Sequence, residues 1–243
     1  MVRKKKVEEK KIYTSFHDIP PREYMYFPKG TIEVSRPGSF SRTEINHLFI
    51  SMFVLTFAFA FALAPFNLRS GFNIDNLPYG LIISFTAIIT AFFFHEMSHK
   101  FMAQKFGLWA EYRMFPQGLI IAFVLGLFTG FVFAAPGAVM FQGGSRNYET
   151  GRIAMAGPLA NIIIALITLP LYMFVFYEAG FIGSIIGFMC YINAFLAIFN
   201  LLPFGPLDGT KIIRWNATVW IIMLIIAITL LMSIVSGGPS TIH

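Results

Sequence analysis

Residues 78–107 read PYGLIISFTAIITAFFFHEMSHKFMAQKFG, and this stretch decides how the chain is organised. It carries no charge before Glu96 and is long enough to cross a bilayer as a helix, which takes about 20 residues. His95 and His99 are four residues apart, so on a helix they lie on one face and can bind one metal ion. Glu96 lies beside them, where a carboxylate can take a proton from water at the metal. Ionisable side chains within lipid are costly, so the stretch predicts a functional site.

The composition is that of a membrane protein. Of 243 residues, 56% are hydrophobic and 12% are charged, whereas soluble domains carry about 25% charged residues. Several charge-free runs approach or exceed the ~20 residues of a transmembrane helix. An apolar soluble protein would need polar helix faces between its apolar stripes, and the sequence lacks them. We therefore predict an all-α polytopic membrane protein in a lipid bilayer, with about five to six transmembrane helices.

The apolar runs define the predicted spans and domain limits. Five runs are predicted to cross the membrane: Ile45–Pro65, Pro78–Gly107, Ile153–Tyr177, Phe181–Leu202 and Trp215–Val235. The chain then divides into a cytoplasmic N-terminal segment (1–44), a transmembrane domain (45–236) and a C-terminal tail (237–243). The sequence leaves open whether residues 19–30 form a short ordered element at the membrane surface or only a linker.

A sixth apolar run, Gly118–Phe133, allows two arrangements. Basic residues concentrate on the cytoplasmic side of membrane proteins, so the basic first 42 residues predict a cytoplasmic N-terminus. If the run crosses the membrane, four later basic residues lie outside, and if it enters and returns, all four lie inside. These residues are Arg146, Arg152, Lys211 and Arg214. The charge rule favours a re-entrant or β-hairpin segment between the His-Glu-x-x-His helix and the next span, with a full crossing as the alternative. Its glycines and Pro136-Gly137 favour a broken, non-helical segment.

The net charge of +6 indicates membrane anchoring rather than nucleic-acid binding, because the basic residues flank membrane helices. The first apolar run begins only near residue 47, so no cleavable signal peptide is visible. The short loops and this absence predict a prokaryotic cell membrane, and an organelle membrane is the alternative.

Asp208 is the candidate third ligand of the metal. It follows an apolar run and is surrounded by prolines and glycines, which end a helix and allow close approach of the backbone. Taken alone, it reads as an exposed turn aspartate, whereas beside His95 and His99 it completes a ligand set. Two histidines and one carboxylate fit Zn²⁺, one ion per chain, with a fourth position for water. The lone cysteine, Cys190, reads as a buried packing residue.

Three motifs together resemble the site-2 protease family of intramembrane zinc metalloproteases. HEMSH at 95–99 resembles the first motif of the family, and NLLPFGPLDG at 200–209 resembles its Asn-x-x-Pro-x-x-Pro-x-Asp-Gly signature. GPLAN at 157–161 is similar to the intervening Gly-Pro-x-x-Asn element. The resemblance covers about residues 78 to 211.

The resemblance implies a role for each matching residue. His95, His99 and Asp208 are the zinc ligands, and Glu96 is the catalytic base that later returns its proton to the leaving amine. Asn200 lies near the site as a hydrogen-bond donor to the developing oxyanion.

Asn161 is a second candidate for that oxyanion role, with an interhelical hydrogen bond as the equal alternative. Residues 134–141 resemble a membrane-dipping strand on which an unwound substrate pairs. The implied substrates are transmembrane proteins cleaved within or near their helices.

Two other functions fit part of the pattern. A zinc-binding transporter also uses broken helices, but transporters usually carry more ionisable residues across several spans. A catalytically inactive scaffold is disfavoured because the base and all three ligands are present together. The sequence does not fix the oligomeric state.

Overall fold

The structure is a computed structural model that describes residues 38–63, 76–130, 132, 136–142 and 146–237. Most of the predicted N-terminal segment (1–37), residues 64–75, 131, 133–135 and 143–145, and the tail from residue 238 lie outside the described residues. The division of the chain at residues 44 and 236 therefore stays a prediction.

The described chain is mostly helical, with one small two-stranded sheet. The elements in chain order are α1 (Arg42–Leu63), α2 (Leu77–Ile88), α3 (Phe94–Lys105), β1 (Trp109–Met114), α4 (Pro116–Thr129), β2 (Gly137–Gln142), α5 (Asn147–Leu171), α6 (Phe181–Leu201), α7 (Asp208–Trp215) and α8 (Ala217–Gly237). A π-helical turn, Ile89–Phe93, joins α2 to α3, and a second one, Tyr172–Phe176, extends α5.

Within the described residues, five helices are long and apolar enough to cross a membrane. They are Arg42–Leu63, Leu77–Lys105, Asn147–Phe176, Phe181–Leu201 and Ala217–Ser236. The predicted all-α polytopic fold is confirmed.

The sixth apolar run lies in a hairpin. β1 and β2 pair antiparallel, with Met114 opposite Gly137. The N–H of Phe115 donates to the carbonyl of Pro136 at 2.8 Å, so the chain returns beside the point where it left β1. The connecting α4 has 14 residues, a length of about 21 Å, which is shorter than the ~30 Å hydrocarbon core of a bilayer. The segment therefore returns to the end at which it left β1, which favours the predicted re-entrant arrangement over a full crossing.

The interior of this hairpin differs from the predicted non-helical segment. α4 is a regular helix that begins at Pro116, where a missing N–H is harmless, and ends before Gly130 in the left-handed region with φ 69°. Gly126 allows α4 to lie against α1, because a Cβ there would be 2.4 Å from the carbonyl oxygen of Ala58. This glycine serves close helix packing and does not break the helix.

Helix α5 is the centre of the bundle and packs against α3, α6 and α7. Small residues such as Ala165, Ala194 and Ala197 are fully buried between α5, α6 and α8, where they let the backbones approach. Large apolar side chains such as Phe49 and Phe174 are exposed on the outside of the spans. The outer surface is thus suited to lipid, and the interior is suited to close contact between helices.

The break after α6 positions Asp208. α6 ends at Leu201, and α7 begins at Asp208 after a short irregular segment. Gly209 lies against the end of α6, since a Cβ there would be 2.1 Å from the carbonyl oxygen of Leu201. α7 packs against α5, and α5 also packs against α3. This brings Asp208, the first residue of α7, close to α3.

Candidate metal centre and active site

The three predicted ligands converge on one point. The Nε2 atoms of His95 and His99 are 3.0 Å apart. Oδ2 of Asp208 lies 3.0 Å from Nε2 of His99 and 3.5 Å from Nε2 of His95. All three side chains are buried, and their candidate ligand atoms lie within 4.8 Å of one another.

The opposite ring nitrogens are held by oxygen acceptors. Nδ1 of His95 is 2.5 Å from Oδ1 of Asn161, and Nδ1 of His99 is 2.7 Å from the backbone carbonyl of Ile153. Since a carbonyl oxygen can only accept, each Nδ1 must carry the proton. Both Nε2 atoms are then left with a lone pair directed at the cluster, which is the tautomer that a metal ligand requires.

This donor set fits a divalent cation. Two imidazole lone pairs and a carboxylate oxygen face one another in a buried space, and they repel unless a positive charge lies between them. A proton can satisfy only one of these contacts, whereas a metal ion satisfies all three. Two nitrogens and one oxygen are a zinc ligand set that leaves a fourth position open.

The two carboxylate oxygens of Asp208 have different partners. Its Oδ2 faces Nε2 of both imidazoles. The second oxygen, Oδ1, lies 3.3 Å from Nζ of Lys211. The carboxylate therefore keeps Oδ2 for the two imidazoles.

Glu96 lies between the ligand cluster and the hairpin. Its side chain is buried, and its Oε2 accepts a hydrogen bond from the backbone N–H of Val139 at 3.1 Å. Val139 is in the middle of β2. The candidate base is thus fixed against a strand, beside the histidine that precedes it.

Gly157 gives the rings of His95 and His99 the space that they occupy. A Cβ at this position of α5 would lie 2.3 Å from Nε2 of His99 and 2.7 Å from Cε1 of His95. Only a glycine lets α5 pass this close to the two imidazoles.

The two asparagines differ in their surroundings. Asn161 contacts the site through His95, and its Nδ2 donates to the carbonyl of Ala91 at 2.8 Å and to Oδ1 of Asn193 at 2.9 Å. Both N–H groups of Asn161 are therefore used inside the protein, which favours the interhelical hydrogen bond over a donor to an oxyanion. Nδ2 of Asn200 donates to the carbonyl of Leu196 in its own helix at 3.0 Å. The catalytic role of Asn200 stays a prediction.

A buried ion pair holds the end of α3. Nζ of Lys100, the residue after His99, is 2.5 Å from Oε2 of Glu44, and both side chains are fully buried. The other oxygen of Glu44 accepts from the backbone N–H of Tyr112 at 2.9 Å. This pair ties α1 to α3 and β1.

The sequence analysis did not predict four features of the site. They are the hydrogen bond of Asn193 to Asn161, the space that Gly157 leaves for the imidazoles, the N–H of Val139 at Glu96, and the ion pair of Glu44 with Lys100. Asn193 had one readable signal, because a polar side chain within an apolar span usually has a partner. The backbone carbonyl of Ile153 and the N–H of Val139 had none, since any residue type supplies these groups.

Comparisons with known proteins identify zinc metalloproteases as relatives of this chain. Residues 176–223 match the family model of Peptidase family M50. The chain is 40% identical over 185 residues to "Putative zinc metalloprotease MJ0611" of Methanocaldococcus jannaschii, an alignment that covers 76% of this chain and 90% of the relative. It is 30% identical over 163 residues to "Putative zinc metalloprotease YwhC" of Bacillus subtilis, which covers 57% of this chain and 68% of that relative. No solved structure matches the chain significantly.

The fold and the site together define a multi-pass membrane protein of the zinc metalloprotease class. The chain belongs to peptidase family M50, the site-2 protease family. Its cofactor is zinc, and its surroundings are a lipid bilayer.

Proposed function

We propose that the protein is an intramembrane-cleaving protease that hydrolyses peptide bonds within or near the transmembrane helices of membrane proteins. His95, His99 and Asp208 hold the zinc ion, and Glu96 is the general base. The observation that carries the proposal is the convergence of three buried ligand atoms beside a buried carboxylate, with His95, His99 and Glu96 in a helix that is long enough to span a membrane.

The groups in the site would have separate roles in the reaction. Bound zinc supplies the Lewis acid that polarises the scissile carbonyl and lowers the pKa of the attacking water. Glu96 takes the proton of that water on its carboxylate and delivers it to the nitrogen of the leaving amine. Asn161 and the carbonyl of Ile153 keep the two imidazoles in the tautomer that leaves Nε2 unprotonated. Gly157 keeps the space around them free of a side chain.

The hairpin supports binding of an extended substrate. Phe115 donates to Pro136, so alternate residues of β2 face β1, and the residues between them direct their N–H and C=O groups away from it. Val139 belongs to the second group, and its N–H points at Glu96. A substrate unwound from its helix needs partners for its freed backbone groups, and this outer edge of β2 supplies them beside the base.

We also propose a cytoplasmic N-terminus in a prokaryotic cell membrane, with a metalloprotease domain over residues 45–236. The basic residues that precede α1 support this orientation. The return of the hairpin supports it as well, because Arg146, Arg152, Lys211 and Arg214 then lie on the cytoplasmic side.

Cleavage of a single-span model protein in reconstituted vesicles tests the proposal. The wild-type protein is compared with Glu96→Gln and with the matched control Glu178→Gln, which makes the same change at an exposed position between α5 and α6. We expect Glu96→Gln to bind zinc stoichiometrically and to lose cleavage, whereas Glu178→Gln keeps both.

Three outcomes of this assay would contradict parts of the proposal. Cleavage by Glu96→Gln at the wild-type rate would remove Glu96 as the base. Zinc uptake into vesicles by the wild-type protein without cleavage would favour a transporter. Zinc binding with neither uptake nor cleavage would favour an inactive scaffold.

A further inference from the structure

A chain of buried polar side chains leads from α6 through α5 to His95. Asn193 on α6 and Asn161 on α5 are both fully buried. They are joined by the hydrogen bond that Nδ2 of Asn161 donates to Oδ1 of Asn193, and Oδ1 of Asn161 accepts a hydrogen bond from Nδ1 of His95. An amide side chain can turn over and exchange its donor and acceptor ends, so something must fix the direction of this chain.

Thr90 sets the orientation of these amides, at the end of the hydrogen-bond chain that is farthest from His95. The hydroxyl of Thr90 has one hydrogen, which it donates to the backbone carbonyl of Ala87 at 2.9 Å or of Thr86 at 3.0 Å. Its oxygen can then only accept from Nδ2 of Asn193, at 3.2 Å. The second hydrogen of that Nδ2 is donated to the carbonyl of Met189 at 2.8 Å. Asn193 must therefore present its oxygen, and not its nitrogen, to Asn161.

The same logic fixes Asn161. Its Nδ2 has two acceptors, the oxygen of Asn193 and the carbonyl of Ala91. A reversed amide would place its oxygen against those two oxygens. Both of these buried contacts would lose their hydrogen bonds, at the cost of unsatisfied polar groups. Its N–H₂ would then face Nδ1 of His95, which could accept only if the proton of the ring moved to Nε2.

The π-helical turn before His95 supplies part of this arrangement. Thr90 and Ala91 both lie in the turn Ile89–Phe93, and each provides an acceptor to an asparagine of another helix. Such turns occur often at functional sites. Here the turn directs one side-chain oxygen and one carbonyl of the His95 helix toward the two asparagines.

We propose that Asn193 is a positioning residue for the metal centre. It fixes the orientation of the Asn161 amide, and Asn161 in turn keeps the proton of His95 on Nδ1 and the lone pair on Nε2. Asn193 acts only through Asn161. The inference rests on the proposed function insofar as His95 must be a metal ligand.

Zinc affinity in competition with a chelator tests this on the purified full-length protein. The variants are Asn193→Leu, Asn161→Leu and their combination, and Cys190→Ala is the matched control. Cys190 is also buried on α6 and contacts the carbonyl of Ala165 on α5, but it lies outside the chain of asparagines. Partners of metal ligands typically contribute 10–100-fold in affinity.

We expect Asn193→Leu to raise the Kd for zinc about tenfold and Asn161→Leu to raise it by at least as much. The double variant should match Asn161→Leu alone, because Asn193 has nothing left to orient. Cys190→Ala should leave the Kd within about twofold of the wild-type value, the scatter expected of a site that is not coupled to the metal. Asn193→Ser, which is too short to reach Asn161, replaces Asn193→Leu if the latter does not fold.

Two results would overturn the proposal. One is a wild-type Kd in the Asn193 variants, and the other is a double variant whose loss is the product of the two single losses. Nitrogen-15 NMR of the imidazoles in the zinc-loaded wild-type protein needs no variant. The proton of His95 must be on Nδ1, and a proton on Nε2 would refute the proposed hydrogen-bond chain from Asn193 to His95. His95→Ala tests the assignment of His95 as a ligand separately from the role of Asn193. Unchanged zinc affinity in that variant would refute the ligand assignment itself.

Discussion

Replacing Gly157 by alanine should disable the metal centre, although the change would stabilise an ordinary helix by about 1 kcal/mol. The new Cβ would lie 2.3 Å from Nε2 of His99, which is about 0.7 Å closer than the 3.0 Å below which real Cβ contacts essentially never occur. It would also lie 2.7 Å from Cε1 of His95, so neither ring can move toward the other to make room. A functional site tolerates displacements of about 0.5 Å, and a misplacement of 1 Å can reduce the rate by about 10².

We therefore expect Gly157→Ala to weaken zinc binding at least about tenfold and to lower kcat/KM by about 10². Chelator competition and cleavage of the model substrate measure the two effects separately. Gly80→Ala is the control, because a Cβ there would meet nothing closer than 3.4 Å. It should bind zinc normally and cleave at the wild-type rate. Wild-type zinc affinity together with wild-type cleavage in Gly157→Ala would refute the reasoning.

Three further perturbations have defined outcomes. Lys100→Met leaves the buried carboxylate of Glu44 without its ion-pair partner, so it should lower the free energy of unfolding by about 3–5 kcal/mol. Thermal unfolding checks this against the exposed control Lys105→Met, and a combined Glu44→Gln and Lys100→Met variant should recover most of the loss. Gly126→Ala should cost about 1–3 kcal/mol, because its Cβ overlaps the backbone of α1, and an unchanged melting temperature would contradict that packing. Removing the metal with a chelator should abolish cleavage, and added zinc should restore it, whereas activity that survives complete removal would exclude a zinc protease.

The sequence was informative wherever the chemistry depends on spacing along one helix. His95, Glu96 and His99 follow from helical geometry alone, and the structure brings Asp208 to them from a helix break that its prolines and glycines had indicated. The return of the chain between Phe115 and Pro136 was readable from the distribution of basic residues, since a full crossing would have separated four of them from the basic N-terminal segment.

Partners on different helices were not readable. Asn161 and Asn193 meet only because α5 and α6 pack at a particular rotation, and rotation depends on the whole set of contacts between the helices. The helical state of α4 was also missed, because Gly118 and Gly126 read as helix breakers while Gly126 in fact allows close packing on α1. Asn200 matches a motif, but its observed hydrogen bond stays within α6.

The two imidazoles are oriented by acceptors of different kinds, a side chain for His95 and the main chain for His99. Saturation mutagenesis would therefore detect only one of them. Position 161 should tolerate almost no replacement, whereas position 153 should accept any apolar residue of similar volume, because every such residue offers the same carbonyl. A mutational screen would identify the side chain that orients His95 and would miss the backbone carbonyl that orients His99.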